Sequence, residues 1–269
     1  MRTIHWIVLA PQMGGVKRVQ RYFIKSEQLV DDQAVIVGND VHHIRDVMRG
    51  SGGVRFILCT CDQKSYLVEI THLSRLEVKV RVVETKEENV ELPISVTIAH
   101  GITKGDKFDS VVQKATECGA SEFIPVAMKR SVARIDESKT DKKVLRWQKI
   151  ALEAARSAHR QVVPTVRIPA TIVELVAMAS EYDVCVFAYE AVDTDGKHGL
   201  AAAISKLRPG MRVLVLVGPE GGIDEGEVRI LTEAGFRAVG LGPRILRTET
   251  APIYVLAAMS YALEIDAKE

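Results

Sequence analysis

Two glycine- and proline-bearing segments near the C-terminus carry the residue types best suited to chemistry. The first is Gly218-Pro219-Glu220-Gly221-Gly222, and the second is Leu241-Gly242-Pro243-Arg244-Ile245-Leu246-Arg247-Thr248-Glu249-Thr250-Ala251. Glycines let a backbone approach a ligand closely, and Pro219 stiffens its turn. Each segment follows a short apolar run that reads as a buried strand, Val213 to Val217 and Ala238 to Leu241, and each leads into a helical pattern. Two strand-to-helix loops at one edge of a parallel sheet occupy the place where open α/β folds bind ligands. The spacing Gly218-x-x-Gly221-Gly222 is not the dinucleotide fingerprint, and no Lys-Ser or Lys-Thr follows as a phosphate-binding loop requires. Nicotinamide and nucleoside triphosphate readings both weaken.

The elements that must position these loops form an alternating series from Leu92 onward. Strands are expected at Ile94 to Ala99, Glu122 to Ala127, Asp183 to Ala188, Val213 to Val217 and Ala238 to Leu241. Helical patterns lie at Phe108 to Cys118, Asp141 to His159, Ile172 to Ser180, Leu200 to Leu207, Asp224 to Ala234 and Ala251 to Ile265. This order predicts an α/β domain with a mostly parallel sheet covered by helices. Asp224 with Glu227 three positions on reads as a capping box, and Gly235 as the stop. Upstream, closely spaced β-favouring runs at Ala34 to Val37, Val54 to Cys61, Ser65 to Thr71 and Leu76 to Val83 predict a small barrel or sandwich over residues 19–88. The polar stretch around Thr85 to Glu91 reads as the linker, so the second domain spans 89–269.

A chain of 269 residues suits two modest domains, and its net charge of +1 does not announce a nucleic-acid binder. The distribution says more: Ala127 to Arg167 holds eleven basic residues against four acidic ones. Such a stretch suits phosphate contacts, although a solvated helix face explains it as well. Cys59, Cys61, Cys118 and Cys185 lack the spacing of a zinc site or a disulfide framework. No run approaches membrane-spanning length, and the apolar stretch Ile4 to Ala10 is short for a signal-peptide core. A reducing, cytoplasmic setting is expected.

The two loops together resemble the C-terminal signature of the RsmE-type ribosomal RNA (uridine-N3) methyltransferases, members of the SPOUT class. Further matches follow in order along the chain: Arg21-Tyr22-Phe23, His42-His43-Ile44, Val47-Met48-Arg49, Lys104-Gly105-Asp106-Lys107, Gln113-Lys114-Ala115-Thr116-Glu117, Arg130-Ser131, Trp147-x-x-Ile150, Glu153-Ala154-Ala155 and Val163-Pro164. The resemblance covers residues 19 to 265, and residues 1–18 form an extension outside it.

The resemblance implies a trefoil-knotted SPOUT domain that binds S-adenosyl-L-methionine, an N-terminal PUA-like RNA-binding β-barrel, a homodimer, and methylation of uracil N3 in 16S (small-subunit) ribosomal RNA. It makes Leu216, Val217, Gly218, Glu220, Gly221, Gly222, Leu241, Gly242, Ile245, Leu246, Arg247, Thr248, Thr250 and Ala251 the cofactor-binding positions. Ile245 and Leu246 would supply an apolar wall. Candidate catalytic residues are Lys114, Arg247 and Glu249. Glu249 is the acid nearest the expected pocket in sequence, yet an acid before a helix is equally a capping device. Lys114 lies where the SPOUT class often carries a functional basic residue whose charge could stabilise a uracil anion, while an ion pair with Glu117 one turn on is the simpler account.

N3 lies on the Watson-Crick edge, so the target must be unpaired or turned out of a helix. Arg21, His42, His43, Arg49, Lys104, Arg130, Arg156 and Arg160 are candidate RNA contacts. Adjacent His42 and His43 make a poor metal site, and no metal is expected. Val255, Leu256, Met259 and Leu263 form an apolar helix face suited to a dimer interface or to the core.

Three departures from the family pattern stand out. Ser157-Ala158 occupies the place of Gln-Ser, Gly52-Gly53 replaces Gly-Asp and removes a turn-stabilising carboxylate, and Cys118 stands for leucine. Two rival readings stay open, a SPOUT enzyme acting on another RNA atom such as a ribose 2′-oxygen, and a catalytically inactive ribosome-assembly factor.

Overall fold

The computed structural model describes residues 20–87, 89–132, 137–190 and 199–266. The extension read for residues 1–18, and Arg134 of the basic stretch, lie outside the described residues. Two compact units meet at the junction of Glu88 and Asn89.

In the first unit the alternation of apolar and polar residues builds a six-stranded sheet. Its strands are β1 (Arg21–Ile24), β2 (Leu29–Val30), β3 (Gln33–Val37), β4 (Arg55–Thr60), β5 (Ser65–Leu73) and β6 (Glu77–Lys86), in the order β1-β4-β5-β6-β3-β2. All neighbours are antiparallel except β1 and β4. Helix α1 (Asn39–His42) runs on into a π-type turn over His43–Val47. Ala34 and Ile36 point inward from β3 and join Tyr22, Phe56, Leu58, Val68, Ile70, Val78 and Val80 in one core. Register shifts between Leu67 and Val68 and between Ile70 and His72 curl the sheet around that core. The turn at Gly52-Gly53 closes without a carboxylate: Gly53 adopts φ +85° and donates its amide to the Ile70 carbonyl at 2.9 Å.

The second unit is a parallel sheet of seven strands flanked by helices. Its strands are β7 (Ser95–Gly101), β8 (Glu122–Ala127), β9 (Thr165–Val166), β10 (Ala170–Thr171), β11 (Val184–Ala188), β12 (Arg212–Val217) and β13 (Arg237–Val239). They lie in the order β10-β8-β7-β12-β11-β13, with β9 also paired to β8. Helices α2 (Lys107–Glu117), α3 (Thr140–Ser157), α4 (Ile172–Ala177), α5 (Leu200–Ile204), α6 (Glu225–Glu233) and α7 (Ala251–Ser260) cover it. Strand existence and order in the chain agree with the expected elements; the two-residue strands β9 and β10 were too short to carry a pattern.

Side-chain periodicity explains how the helices seat. Phe108, Val111, Val112 and Ala115 are buried along α2, and Trp147, Ala151, Ala154 and Ala155 along α3. The Phe108 and Trp147 rings meet edge-on at 4.5 Å, locking the two helices together. The expected capping box opens α6: Asp224 accepts from the Gly226 amide, and Glu227 accepts from the Asp224 amide. Val255, Leu256 and Met259 of α7 are buried in the unit's own core, and Leu263 packs against it. Core packing therefore takes the face read as a possible interface. The exposed apolar residues of this segment are instead Tyr254, Tyr261 and Ile265.

Among the described residues no helix is long and apolar enough to cross a membrane.

Candidate active site

Strand register brings the two loops together. His100 of β7 pairs with Val217 of β12, Leu216 of β12 pairs with Phe187 of β11, and Ala188 of β11 pairs with Val239 of β13. Four parallel strands thus end in one row, and the chain leaving β12 and β13 opens a cavity of about 880 Å³ beyond it. That size falls within the ~300–1,000 Å³ range of small-molecule sites. Val217 to Ile223 form one wall, Gly240 to Glu249 with Ala251 form another, and Ala188, Tyr189, Glu190 and Lys107 close the remainder.

The first loop is packed to the limit that glycine permits. A Cβ on Gly221 would lie 2.9 Å from the Arg130 carbonyl oxygen, so no larger residue fits without moving backbone. Glu220 accepts from the Lys107 ammonium at 2.9 Å and from the Lys104 amide at 3.3 Å. Burial works to raise the Glu220 pKa, but Lys107 and the backbone amides outweigh it and hold the carboxyl below its ordinary value.

The second loop is tied to the first through Thr248, whose hydroxyl donates to the Gly218 carbonyl. The His100 ring lies beneath both, fully buried, with Nδ1 2.7 Å from the Gly101 carbonyl and Nε2 3.1 Å from the Thr248 carbonyl and hydroxyl. Burial is the dominant influence on the ring and lowers its pKa, against the opposing pull of those carbonyls and of the Glu220 and Glu249 charges. Glu249 lines the cavity, and one of its carboxylate oxygens, Oε2, is buried and without a hydrogen-bond partner. A buried acceptor left unsatisfied is costly, and a bound ligand is a ready explanation.

Twelve of the fourteen positions read as cofactor-binding line this cavity. Leu216 does not, because it is wholly buried in the core beneath the loop. Thr250 stands at the N-cap of α7 without a side-chain capping bond. Ile245 lines the mouth of the cavity but is 95% exposed, so it is a rim residue rather than part of an apolar wall; Leu246 is half-buried. Arg247 lines the cavity as well, and its carbonyl accepts from the Thr250 and Ala251 amides to start α7. Lys114 lies away from it, on α2, paired with Glu117 at 3.2 Å.

Two of the candidate RNA contacts are corrected by burial. Arg160 is 4% exposed, with its guanidinium against Glu91, at 3.1 Å from Nε to Oε2, and against the Thr116 and Ala120 carbonyls. Arg21 is 5% exposed in β1 beside Cys59. Neither can present its charge to a phosphate. Arg156 is half-buried and paired with Glu153. Lys104, Arg49 and Arg130 are exposed, Arg130 also reaching Asp224 and the Gly221 carbonyl. His42 faces Asp46 at 3.3 Å, and His43 shares a 2.7 Å bond with the Tyr22 hydroxyl. Among the described residues no group of three or more His, Cys, Asp or Glu could hold a metal ion.

Sequence reading missed His100, Glu190 and the site role of Lys107. His100 had one usable signal, a histidine directly after the expected strand Ile94 to Ala99; Lys107 lay in a quoted motif without an assigned contact.

A family model for an RNA methyltransferase domain matches residues 90–260. Ribosomal RNA small subunit methyltransferase E of Bacillus subtilis (strain 168) is 43% identical over 251 residues, which is 92% of this chain and 98% of that protein. The chain belongs to the ribosomal RNA small subunit methyltransferase E family. Among solved structures, the crystal structure of a hypothetical protein superposes with a TM-score of 0.86 at 43% identity, covering 92% of this chain and all of that one. A ribosomal RNA small subunit methyltransferase E from Neisseria gonorrhoeae, solved bound to S-adenosyl methionine, gives a TM-score of 0.77 at 28% identity over 91% of this chain and 98% of its own. Members of this family share both units of the fold, since these matches extend well upstream of residue 90.

Proposed function

We propose that this chain is an S-adenosyl-L-methionine-dependent methyltransferase acting on uracil N3 of a uridine in small-subunit ribosomal RNA. The observation that carries the reading is the convergence of the loops after β12 and β13 on one cavity with an unpaired, buried Glu249 oxygen. Family membership supports the cofactor and the RNA class. The second unit would carry the trefoil knot of the SPOUT class, and the curled sheet of the first would be the PUA-like barrel that engages RNA. An enzyme acting on ribosomal RNA would work in the cytoplasm. A second copy would complete the site, and the exposed Tyr254, Tyr261 and Ile265 offer it an apolar surface.

The residues present fit the donor. Gly222 and Gly242, with no atom nearer than 3.7 Å to where a Cβ would stand, let a ligand approach the backbone, Leu246 adds apolar surface, and Glu249 offers an acceptor. When bound, the donor would supply an electrophilic methyl group carried on a positively charged sulfur. Glu249 would take the N3 proton of the uracil, freeing the nitrogen lone pair to form the new N–C bond as the C–S pair returns to sulfur. Lys107, Arg244 and Arg247, the cations along the cavity, would steady the anionic base before transfer. Lys107 is already engaged by Glu220, so Arg244 and Arg247 are the freer of the three. Anionic acceptor and cationic donor disperse their charges at the transition state, and a site that excludes water favours that change.

The test is methyl transfer from tritiated S-adenosyl-L-methionine to small ribosomal subunits lacking the modification, followed by nucleoside mass spectrometry. 3-Methyluridine is the expected product. A methylated ribose or another methylated base would overturn the atom assignment, and no incorporation would overturn the activity.

A further inference from the structure

Three segments of the second unit meet at a single buried side chain. His100 is the penultimate residue of β7, the first loop begins at Gly218, and Thr248 belongs to the second loop. Register sets His100 opposite Val217, so its ring lies under the start of the first loop. Its two nitrogens face different segments, Nδ1 the Gly101 carbonyl at 2.7 Å and Nε2 the Thr248 carbonyl and hydroxyl at 3.1 Å. The Thr248 hydroxyl in turn donates to the Gly218 carbonyl. The Phe108 ring meets His100 edge-on at 5.8 Å, fixing the imidazole from the side of α2.

We propose that His100 is a positioning residue that clasps the two cavity loops to the end of β7 and so holds them at the separation the methyl donor requires; this rests on the cofactor reading above. A carbonyl oxygen accepts and never donates, so each ring nitrogen bonds a carbonyl only while it carries a proton. Either neutral tautomer ties the ring to the second loop: protonated at Nε2 it donates to Thr248 while the Thr248 hydroxyl donates to Gly218, and protonated at Nδ1 it donates to Gly101 and accepts the Thr248 hydroxyl proton at Nε2. A hydrophobic replacement would remove the ring's bonds to Gly101 and Thr248, and the second loop would shift away from the end of β7 to find water. Gln, with an amide that both donates and accepts, keeps the two directions of bonding on a side chain of similar reach.

Three variants of the full chain test this: His100→Leu, His100→Gln and Thr248→Val. Amide hydrogen exchange of 218–222 and 241–250 is followed in the ligand-free protein, and S-adenosylhomocysteine binding is measured by calorimetry. His100→Leu and Thr248→Val should both speed exchange in both segments and weaken binding about ten- to a hundredfold. His100→Gln should preserve slow exchange and near-parental affinity, a rescue that simple filling of core volume would not give. If His100→Leu does not fold, the contrast between Thr248→Val and His100→Gln decides in the same way. Unchanged exchange and affinity in the folded Leu or Val variant, or loss in Gln equal to that in Val, would overturn the clasp. Failure of the parent protein to bind S-adenosylhomocysteine would remove the cofactor reading, and the exchange contrast would then decide the clasp by itself.

Discussion

Gly101 and Pro219 are packed so closely that a Cβ on Gly101 would lie 2.5 Å from both the Pro219 nitrogen and its ring Cδ. The end of β7 is therefore a rigid floor for the first cavity loop, and the smallest side chain beyond hydrogen would lift the loop from it. Gly101→Ala should cost about 1–3 kcal/mol of stability by overpacking. It should also weaken S-adenosylhomocysteine binding, as read by urea denaturation and calorimetry on the same preparation. Parental values for both would show that the contact relaxes without consequence.

Glu249 presents a buried, unpaired carboxylate oxygen in the cavity wall. Glu249→Gln keeps the shape and removes the base, so turnover should fall about 10²–10⁴-fold. Cofactor affinity should change little. Single-turnover methyl transfer under saturating donor separates the two effects, and turnover equal to the parent would dismiss Glu249 as the proton acceptor.

Arg160 and Lys104 should part company when replaced. Arg160→Ala leaves the buried Glu91 carboxylate without its cationic partner and should cost about 3–5 kcal/mol. Its effect on RNA should be confined to the loss of folded protein. Lys104 is exposed, and Lys104→Ala should leave stability unchanged while lowering the salt slope of RNA binding by about one. Denaturation curves and binding isotherms across a salt series read both; an unchanged slope for Lys104→Ala would remove it from the RNA face.

The buried His100 ring makes stability depend on pH in a defined direction. Its folded-state pKa is lowered, chiefly by burial, so between that value and the unfolded value of about 6.5 the unfolded chain binds more protons. Stability from this group is full above about pH 6.5 and is lost as the pH falls toward the folded value. The loss should shrink in His100→Gln, measured by denaturation from pH 7.5 down to pH 5. An equal loss in both proteins would assign the dependence to other groups.

What could be read from the sequence was what lies close along the chain. The loops at Gly218 and Leu241 were visible because glycine and proline punctuate the ends of apolar runs, and the Asp224 to Glu227 capping box is a four-residue signal. Strand order and register are long-range properties, so nothing in the chain announced that His100 would pair with Val217 and reach Thr248. The same blindness put Arg160 among surface cations: its partner Glu91 lies 69 residues away. Val255, Leu256 and Met259 had an apolar period that suits a core and an interface equally, and only packing distinguishes them. Lys114 and Glu117 illustrate the opposite case, where the local ion-pair account describes what the fold contains.

The cavity between the two loops is the proposed donor site. The most direct measurement is a crystal structure of the full chain grown with S-adenosylhomocysteine. We expect the ligand between Val217 to Gly222 and Leu241 to Glu249, with the His100 to Thr248 contact intact. A ligand bound elsewhere on the chain, or an empty cavity in crystals of protein that binds the ligand in solution, would contradict it.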